Sequence, residues 1–77
     1  MSKEGGVNME KKIRISLKAA RINAGYTQLC AAKLIGIGKD TLIKWEKNPG
    51  LVNAIFQDKI SKVYNLPVDF INFMPQN

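Results

Sequence analysis

The stretch from residue 27 to residue 47 constrains the fold most strongly, because hydrophobic residues recur at helical spacing on both sides of a central glycine. Ala31, Ala32 and Ile35 fall on one face of a first helix. Gly36 then ends that helix, since glycine adopts the left-handed conformation that a Cβ atom disfavours. The two alanines suit helices that cross steeply at a short turn, where the backbones leave little room for side chains.

A second helix follows this turn and runs from residue 39 to about residue 47. Leu42 and Trp45, spaced by three, form its buried face, and Ile37 reaches into the core from the turn. The lysines of the segment are left on the outer face. This is the geometry of a DNA-reading helix-turn-helix.

The whole segment resembles the phage repressor and Cro-like helix-turn-helix family, of the xenobiotic-response-element type. Within the motif the resemblance is carried by Gln28, Ala32, Gly36, Ile37, Leu42, Trp45 and Glu46. Upstream it is carried by Leu17, Arg21 and residues 25–28, and downstream residues 64–71 resemble the family's closing helix. The resemblance covers roughly residues 13–73. It implies an all-α fold, a compact lambda-repressor-like bundle of about five short helices that contains the helix-turn-helix.

Local signals place these helices along the chain. Good N-caps predict a first helix from Ser16 through Ala24, a second after Thr27 and a fourth after Asn53, over about 54–64. Gly38 opens the third helix, and Pro67 starts a short last helix through Phe73. The expected core residues of the last two helices are Ile55, Phe56, Ile60, Val63, Val68, Phe70 and Ile71. Residues 13–16 alternate only weakly, so we expect no strand there.

The chain is expected to form one domain over residues 13–74, preceded by a flexible basic arm at residues 1–12. The net charge is +6, and the surplus lies between residues 10 and 47, where nine basic residues face three acidic ones. Positive charge concentrated in this way favours a polyanion through counterion release. A lysine-rich solubilising surface is the alternative.

Several classes of protein are disfavoured by residues that the chain lacks. One cysteine and no histidine argue against a disulfide framework and a structural zinc site, and we expect no metal or other cofactor. The chain has no apolar run of membrane-spanning length and no secretory signal core, so the expected location is the cytoplasm. It has no G-x-S-x-G motif, phosphate-binding glycine loop or clustered acids, so an enzyme is not expected.

The candidate DNA base contacts are Lys39, Asp40, Thr41, Ile43 and Lys44, at the N-terminal and outer face of the third helix. Lysine can donate to guanine O6 and N7, and aspartate can accept from cytosine N4. Asp40 could instead interact with the helix dipole. Ile43 could contact a thymine methyl group or pack against a neighbouring segment.

The candidate phosphate contacts lie at helix ends. By the resemblance, Gln28 hydrogen-bonds a DNA phosphate together with the N–H groups that open the second helix, although it could simply be solvated. Lys47 and Asn48, just past the third helix, are further candidates. The arm residues Lys11, Lys12 and Arg14 could follow the DNA backbone, enter a minor groove or form a solvated tail.

Other residues have structural interpretations. By the resemblance, Arg21 and Glu46 form an ion pair that links the first helix to the end of the third. Trp45 is expected to anchor the core rather than stack on a base, and Cys30 to be an inert apolar residue. Leu29, Cys30 and Leu34 stand where the family usually has polar residues, and we expect residues 13–15 or another chain to cover them.

The function that these features favour is a sequence-specific regulator that binds double-stranded DNA and acts by operator occupancy. The short chain leaves no room for an effector-sensing domain, so we expect a Cro-type or stand-alone phage repressor. Family members generally form homodimers whose recognition helices enter half-sites roughly 34 Å apart. The candidate dimer surface is Phe70, Ile71 and Phe73. The alternative is an antitoxin or antirepressor that binds a protein through Leu29, Cys30, Leu34 and Ile43.

Overall fold

The computed structural model describes residues 13–75, and within them the chain forms four α-helices and one pair of short strands. The elements are β1 (Ile15–Ser16), α1 (Leu17–Asn23), α2 (Gln28–Ile35), α3 (Lys39–Lys47), α4 (Ala54–Tyr64) and β2 (Ile71–Asn72). Two 3-10 turns, Pro49–Leu51 and Val68–Phe70, follow α3 and α4. The predicted all-α class is confirmed, with four helices rather than five.

Side-chain caps begin three of the helices where the sequence predicts them. The side chains of Ser16, Thr27 and Asn53 each accept a hydrogen bond from the backbone N–H three residues later, at 3.0, 3.1 and 2.9 Å. These bonds satisfy N–H groups that have no partner inside the helix. Gly38 precedes α3 without a side-chain cap.

The turn between α2 and α3 depends on Gly36. Its φ angle is +91°, in the left-handed region where a Cβ atom is disfavoured. The N–H groups of Gly36 and Ile37 both donate to the Ala32 carbonyl, at 2.8 and 2.9 Å. These bonds satisfy the end of α2 and direct the chain into α3.

The core lies where the four helices and β2 meet. Its buried side chains are Leu17, Ala20, Ala31, Ala32, Ile35, Leu42, Val52, Ile60, Tyr64 and Ile71. The predicted inward position of Ile55 is wrong, because this side chain is 78% exposed. Ile60 and Tyr64, four residues apart, set the buried face of α4, and Ile55 falls outside that stripe.

The predicted last helix and the expected lack of strands are both wrong. After the turn Val68–Phe70 the chain extends into β2, which pairs in parallel with β1 so that Ile15 faces Ile71. Ile71 is 3% exposed and lies in the core as predicted, whereas Phe70 is 44% exposed and does not. Each strand supplies the backbone partners that the other cannot find locally. We call β1 and β2 the strand pair.

The predicted basic arm at residues 1–12, with Lys11 and Lys12, lies outside the described residues. From residue 13 to residue 75, no helix is long and apolar enough to cross a membrane.

Candidate nucleic-acid interface

The helix-turn-helix is built by α2, the Gly36 turn and α3. Ala31 and Ala32 are buried where α2 meets the rest of the core, so small side chains permit the close approach that the sequence predicts. Leu42 is fully buried on the inner side of α3. Trp45 is half-buried, and the centroid of its ring lies 5.3 Å from the ring centroid of Phe56 on α4. α3 is therefore anchored from one side only.

The predicted base-contact residues lie on the rest of α3 and are all at least partly accessible. Lys39, Asp40 and Lys44 are exposed, and Thr41 and Ile43 are half-buried. Asp40 lies in the first turn of α3, where a negative charge interacts favourably with the helix dipole. Ile43 is half-buried, so part of its side chain packs against the protein and the rest is accessible. Lys39 and Lys44 are therefore both accessible to a large partner.

A buried polar network joins α1, the start of α2 and the end of α3. The Arg21 Nε group donates to Glu46 Oε2 at 2.6 Å, and Nη2 donates to Oε1 at 3.4 Å. The third nitrogen, Nη1, donates to the Tyr26 carbonyl at 2.9 Å. The Arg21 and Glu46 side chains are only 8% and 5% exposed. This ion pair fixes the end of α3 against α1.

Gln28 takes part in the same network, which the sequence did not indicate. Its Nε2 group donates to Glu46 Oε1 at 3.1 Å. The Glu46 carboxylate therefore accepts hydrogen bonds from both the Arg21 guanidinium and the Gln28 amide. A buried carboxylate is stable only when several donors surround it. That requirement is the one sequence signal that could have suggested a further donor near Glu46.

Tyr64, at the end of α4, lies beside this network and was also missed. It is 2% exposed, and its ring lies 6.2 Å from that of Tyr26. Its hydroxyl has no hydrogen-bond partner among residues 13–75. Burial raises the pKa of the Tyr64 hydroxyl above its usual range; the charge of Glu46 raises it further, and that of Arg21 opposes the rise. We call Arg21, Tyr26, Gln28, Glu46 and Tyr64 the polar network.

The candidate phosphate contacts lie at the ends of α2 and α3. Gln28 is the first residue of α2, and the Thr27 side chain caps the N–H of Cys30. The N–H groups of Gln28 and Leu29 are therefore left to find partners outside α2. Lys47 is exposed at the end of α3, and Asn48 follows it half-buried.

The remaining arm residue, Arg14, lies on another part of the surface. It is exposed and lines a cavity of about 250 Å³ beside the strand pair, with Gln57 and Asp69 among its neighbours. The structure therefore groups Arg14 with the ends of the described chain and not with α3.

The apolar stripe on α2 remains accessible. Leu29 and Leu34 are 51% and 49% exposed, and Cys30 is exposed with a free thiol. The expected cover by residues 13–15 is wrong, because β1 pairs with β2 instead. Cover by another chain stays a prediction. In the part of the chain that the structure describes, no group of three or more His, Cys, Asp or Glu residues could hold a metal ion.

A family model described as helix-turn-helix matches residues 17–71, from the first residue of α1 to the first residue of β2. The match includes the Gly36 turn, α3 and the whole polar network. No curated protein and no solved structure shows a significant match to the chain.

Proposed function

The chain belongs to the phage repressor and Cro-like helix-turn-helix family of DNA-binding proteins, and from that premise we propose that it is a sequence-specific repressor acting by operator occupancy. The observation that carries the proposal is the one-sided anchoring of α3. Leu42 is fully buried and Trp45 packs against Phe56, while Lys39 and Lys44 are exposed. A helix presented in this way can enter a major groove.

In the proposed complex, α3 reads base edges with its N-terminal half. The reading residues are Lys39, Asp40, Thr41, Ile43 and Lys44. The lysines donate to guanine, Asp40 accepts from cytosine, and the accessible part of Ile43 contacts a thymine methyl group. Each good base contact contributes about 1–3 kcal/mol of discrimination.

Phosphate contacts at two helix ends hold α3 in register. Gln28 and the first N–H groups of α2 contact one phosphate, and Lys47 and Asn48 contact another. These contacts position the protein without carrying sequence information. The cationic surplus of residues 10–47 adds an attraction to DNA that falls as salt rises. We propose the cytoplasm as the location, because the proposed partner is DNA.

Two lysines separate base reading from phosphate binding. Bound duplexes are first selected from a random library, and affinities are then measured for several sequences and salt concentrations. Lys44→Ala should relax sequence preference at one position, with a loss of about 1–3 kcal/mol on the preferred site. Lys47→Ala should weaken binding to all sequences alike and reduce the salt slope by about one. An equal loss of specificity from both changes would contradict the assigned roles.

We further propose that the repressor is a homodimer, which places two α3 helices in adjacent half-sites. The candidate surface needs correction, because Ile71 is buried and cannot contact a second copy. Phe70, which is exposed, and Phe73, which is half-buried, remain. Phe70 lines an apolar cavity of about 270 Å³ together with Ile13, Ile15 and Leu66. Exposed apolar residues of this kind are suited to a contact between subunits.

Ile13 and Ile55 form a matched pair for testing this surface, because they are 79% and 78% exposed. Ile13→Ser should weaken self-association measured by sedimentation, while Ile55→Ser should leave it unchanged. The reverse result would move the dimer surface to the start of α4.

An antitoxin or antirepressor is the second candidate, and the exposed stripe of Leu29, Cys30 and Leu34 favours it. In that case the stripe would bind another protein, and α3 would have no operator. This function would be supported over repression if the chain bound a co-encoded protein and caused no salt-sensitive mobility shift of duplex DNA.

A further inference from the structure

We propose that Glu46 is a positioning residue for the DNA-phosphate contact of Gln28. The inference rests on the proposed function, since it assumes that Gln28 binds a phosphate. It adds a role for the buried carboxylate beyond its ion pair with Arg21. The basis is the 3.1 Å hydrogen bond from Gln28 Nε2 to Glu46 Oε1.

Glu46 is itself held firmly. Arg21 donates to both of its oxygens, and the carboxylate side chain is 5% exposed. A glutamine on the first turn of a helix would otherwise sample several rotamers, and fixing such a side chain on binding costs conformational entropy. The bond to Glu46 restricts the Gln28 amide before DNA arrives.

The amide keeps a group for the phosphate. Nε2 carries two hydrogens, of which one is directed to Glu46, and the two N–H bonds of a planar amide diverge. The second hydrogen can therefore donate to a phosphate oxygen beside the first N–H groups of α2. Side chain and backbone would then act on the same phosphate.

The Arg21 guanidinium allows the Glu46 carboxylate to lie close to a DNA phosphate. An uncompensated negative charge at the start of α2 would repel a phosphate, and the repulsion would be strong because the group is buried. The guanidinium cancels that charge at 2.6 Å. It also binds the Tyr26 carbonyl, next to the Thr27 cap, so the start of α2 and the carboxylate are fixed together.

A double-mutant cycle distinguishes positioning from a purely structural role. Arg21→Met/Glu46→Leu removes both buried charges together, which avoids the uncompensated charge that a single change would leave. This double variant also removes the acceptor of the Gln28 amide. Gln28→Ala is then introduced into the wild-type protein and into the double variant, and duplex affinity and thermal melting are measured for all four proteins.

The expected result is strong coupling. Gln28→Ala should weaken binding about tenfold in the wild-type protein and less than twofold in the double variant. A duplex with one neutral methylphosphonate at the contacted phosphate should abolish the Gln28 effect in the wild-type protein as well. An equal Gln28→Ala loss in both backgrounds would overturn the proposal.

Lys47→Ala is the matched control, because Lys47 adjoins Glu46 in α3 but lies on the exposed surface. Its loss should be the same in both backgrounds. Loss of the Lys47 effect in the double variant would show a general distortion and overturn the specific role of Glu46. If the double variant does not melt cooperatively, Arg21→Gln/Glu46→Met takes its place, because it also removes both charges and the acceptor of the Gln28 amide while keeping an amide donor for the Tyr26 carbonyl. The same reduction of the Gln28 effect is expected, and an unchanged effect would overturn the proposal.

Failure of this inference and failure of the proposed function give different results. A wild-type protein that shows no salt-sensitive binding to any duplex would refute the repressor. Salt-sensitive binding with additive Gln28 and Glu46 effects would leave the repressor intact and refute only the positioning role.

Discussion

The polar network and the strand pair both join parts of the chain that are distant in sequence, but they do so by different chemistry. In the network, charged and amide side chains on regular helices fix the orientation of α3 through bonds such as Arg21–Glu46. In the strand pair, backbone groups of two extended segments hold each other, and Ile71 fills the core behind them. The polar network sets the orientation of α3 that recognition needs, whereas the strand pair joins the two ends of the domain.

The two regions should therefore fail differently. Removing Arg21 or Glu46 from the network leaves a buried charge with unpaired polar groups, which affects both stability and DNA geometry. Removing the buried side chain of the strand pair leaves a cavity but breaks no hydrogen bond to α3, so it should affect stability more than DNA geometry. Measurements that separate stability from binding can test this contrast.

The largest expected effect comes from the strand pair. Ile71→Ala should lower the free energy of unfolding by about 2–5 kcal/mol, because a fully packed aliphatic side chain is replaced by a cavity. Urea unfolding measures the loss. Phe70→Ala, at the neighbouring 44% exposed position, is the control and should cost clearly less. Equal costs would show that Ile71 is not the residue that secures β2.

A smaller effect is expected at the turn that orients α3. Gly36→Ser should cost about 1–2 kcal/mol, because φ at this position is +91° and a side chain there is strained. The new Cβ would also lie 3.2 Å from Lys59 Nζ. Thermal melting measures the change.

The same substitution two residues later provides the control. Gly38→Ser meets open space and supplies α3 with a side-chain N-cap, so it should be neutral or stabilise by a few tenths of a kcal/mol. A loss at Gly38 equal to that at Gly36 would mean that the left-handed conformation is not what the turn requires.

The smallest effect at neutral pH should come from Tyr64 in the polar network, where a difference develops only at high pH. The pKa of Tyr64 is raised above its ordinary value of 10.0 by burial, so the folded protein keeps this proton where the unfolded chain releases it. The contribution of this group to the free energy of unfolding is fully present below about pH 10. It falls as the pH rises further, by up to about 1.4 kcal/mol per pH unit.

Tyr64→Phe removes this dependence. Groups that titrate in both proteins cancel in the difference, so the variant should be close to the wild type at neutral pH and increasingly more stable than it above pH 10. Urea unfolding at several pH values measures the difference. A constant difference across pH would show that the hydroxyl is not buried beside Glu46.

The parts of the fold that follow local rules could be predicted from the sequence. Ser16, Thr27 and Asn53 are caps whose effect extends over three residues, and Gly36 acts through its own φ angle. The outward face of α3 follows from helical spacing. Such signals need no knowledge of the rest of the chain.

The other features depend on contacts between distant segments. Each strand is two residues long, too short for an alternating pattern, and each exists only because of its partner. Ile55 and Phe56 both suit an apolar face, and only the packing of α4 turns the first outward. The bond from Gln28 to Glu46 crosses from α2 to α3, so no spacing rule could indicate it.

The strand pair turns the chain between Ile15 and Ile71 into a closed ring. The entropy needed to close a ring grows only with the logarithm of its circumference, so even doubling the enclosed length would cost about 0.6 kcal/mol. Extra residues inserted at exposed positions between the helices should therefore be tolerated far better than a change at either strand.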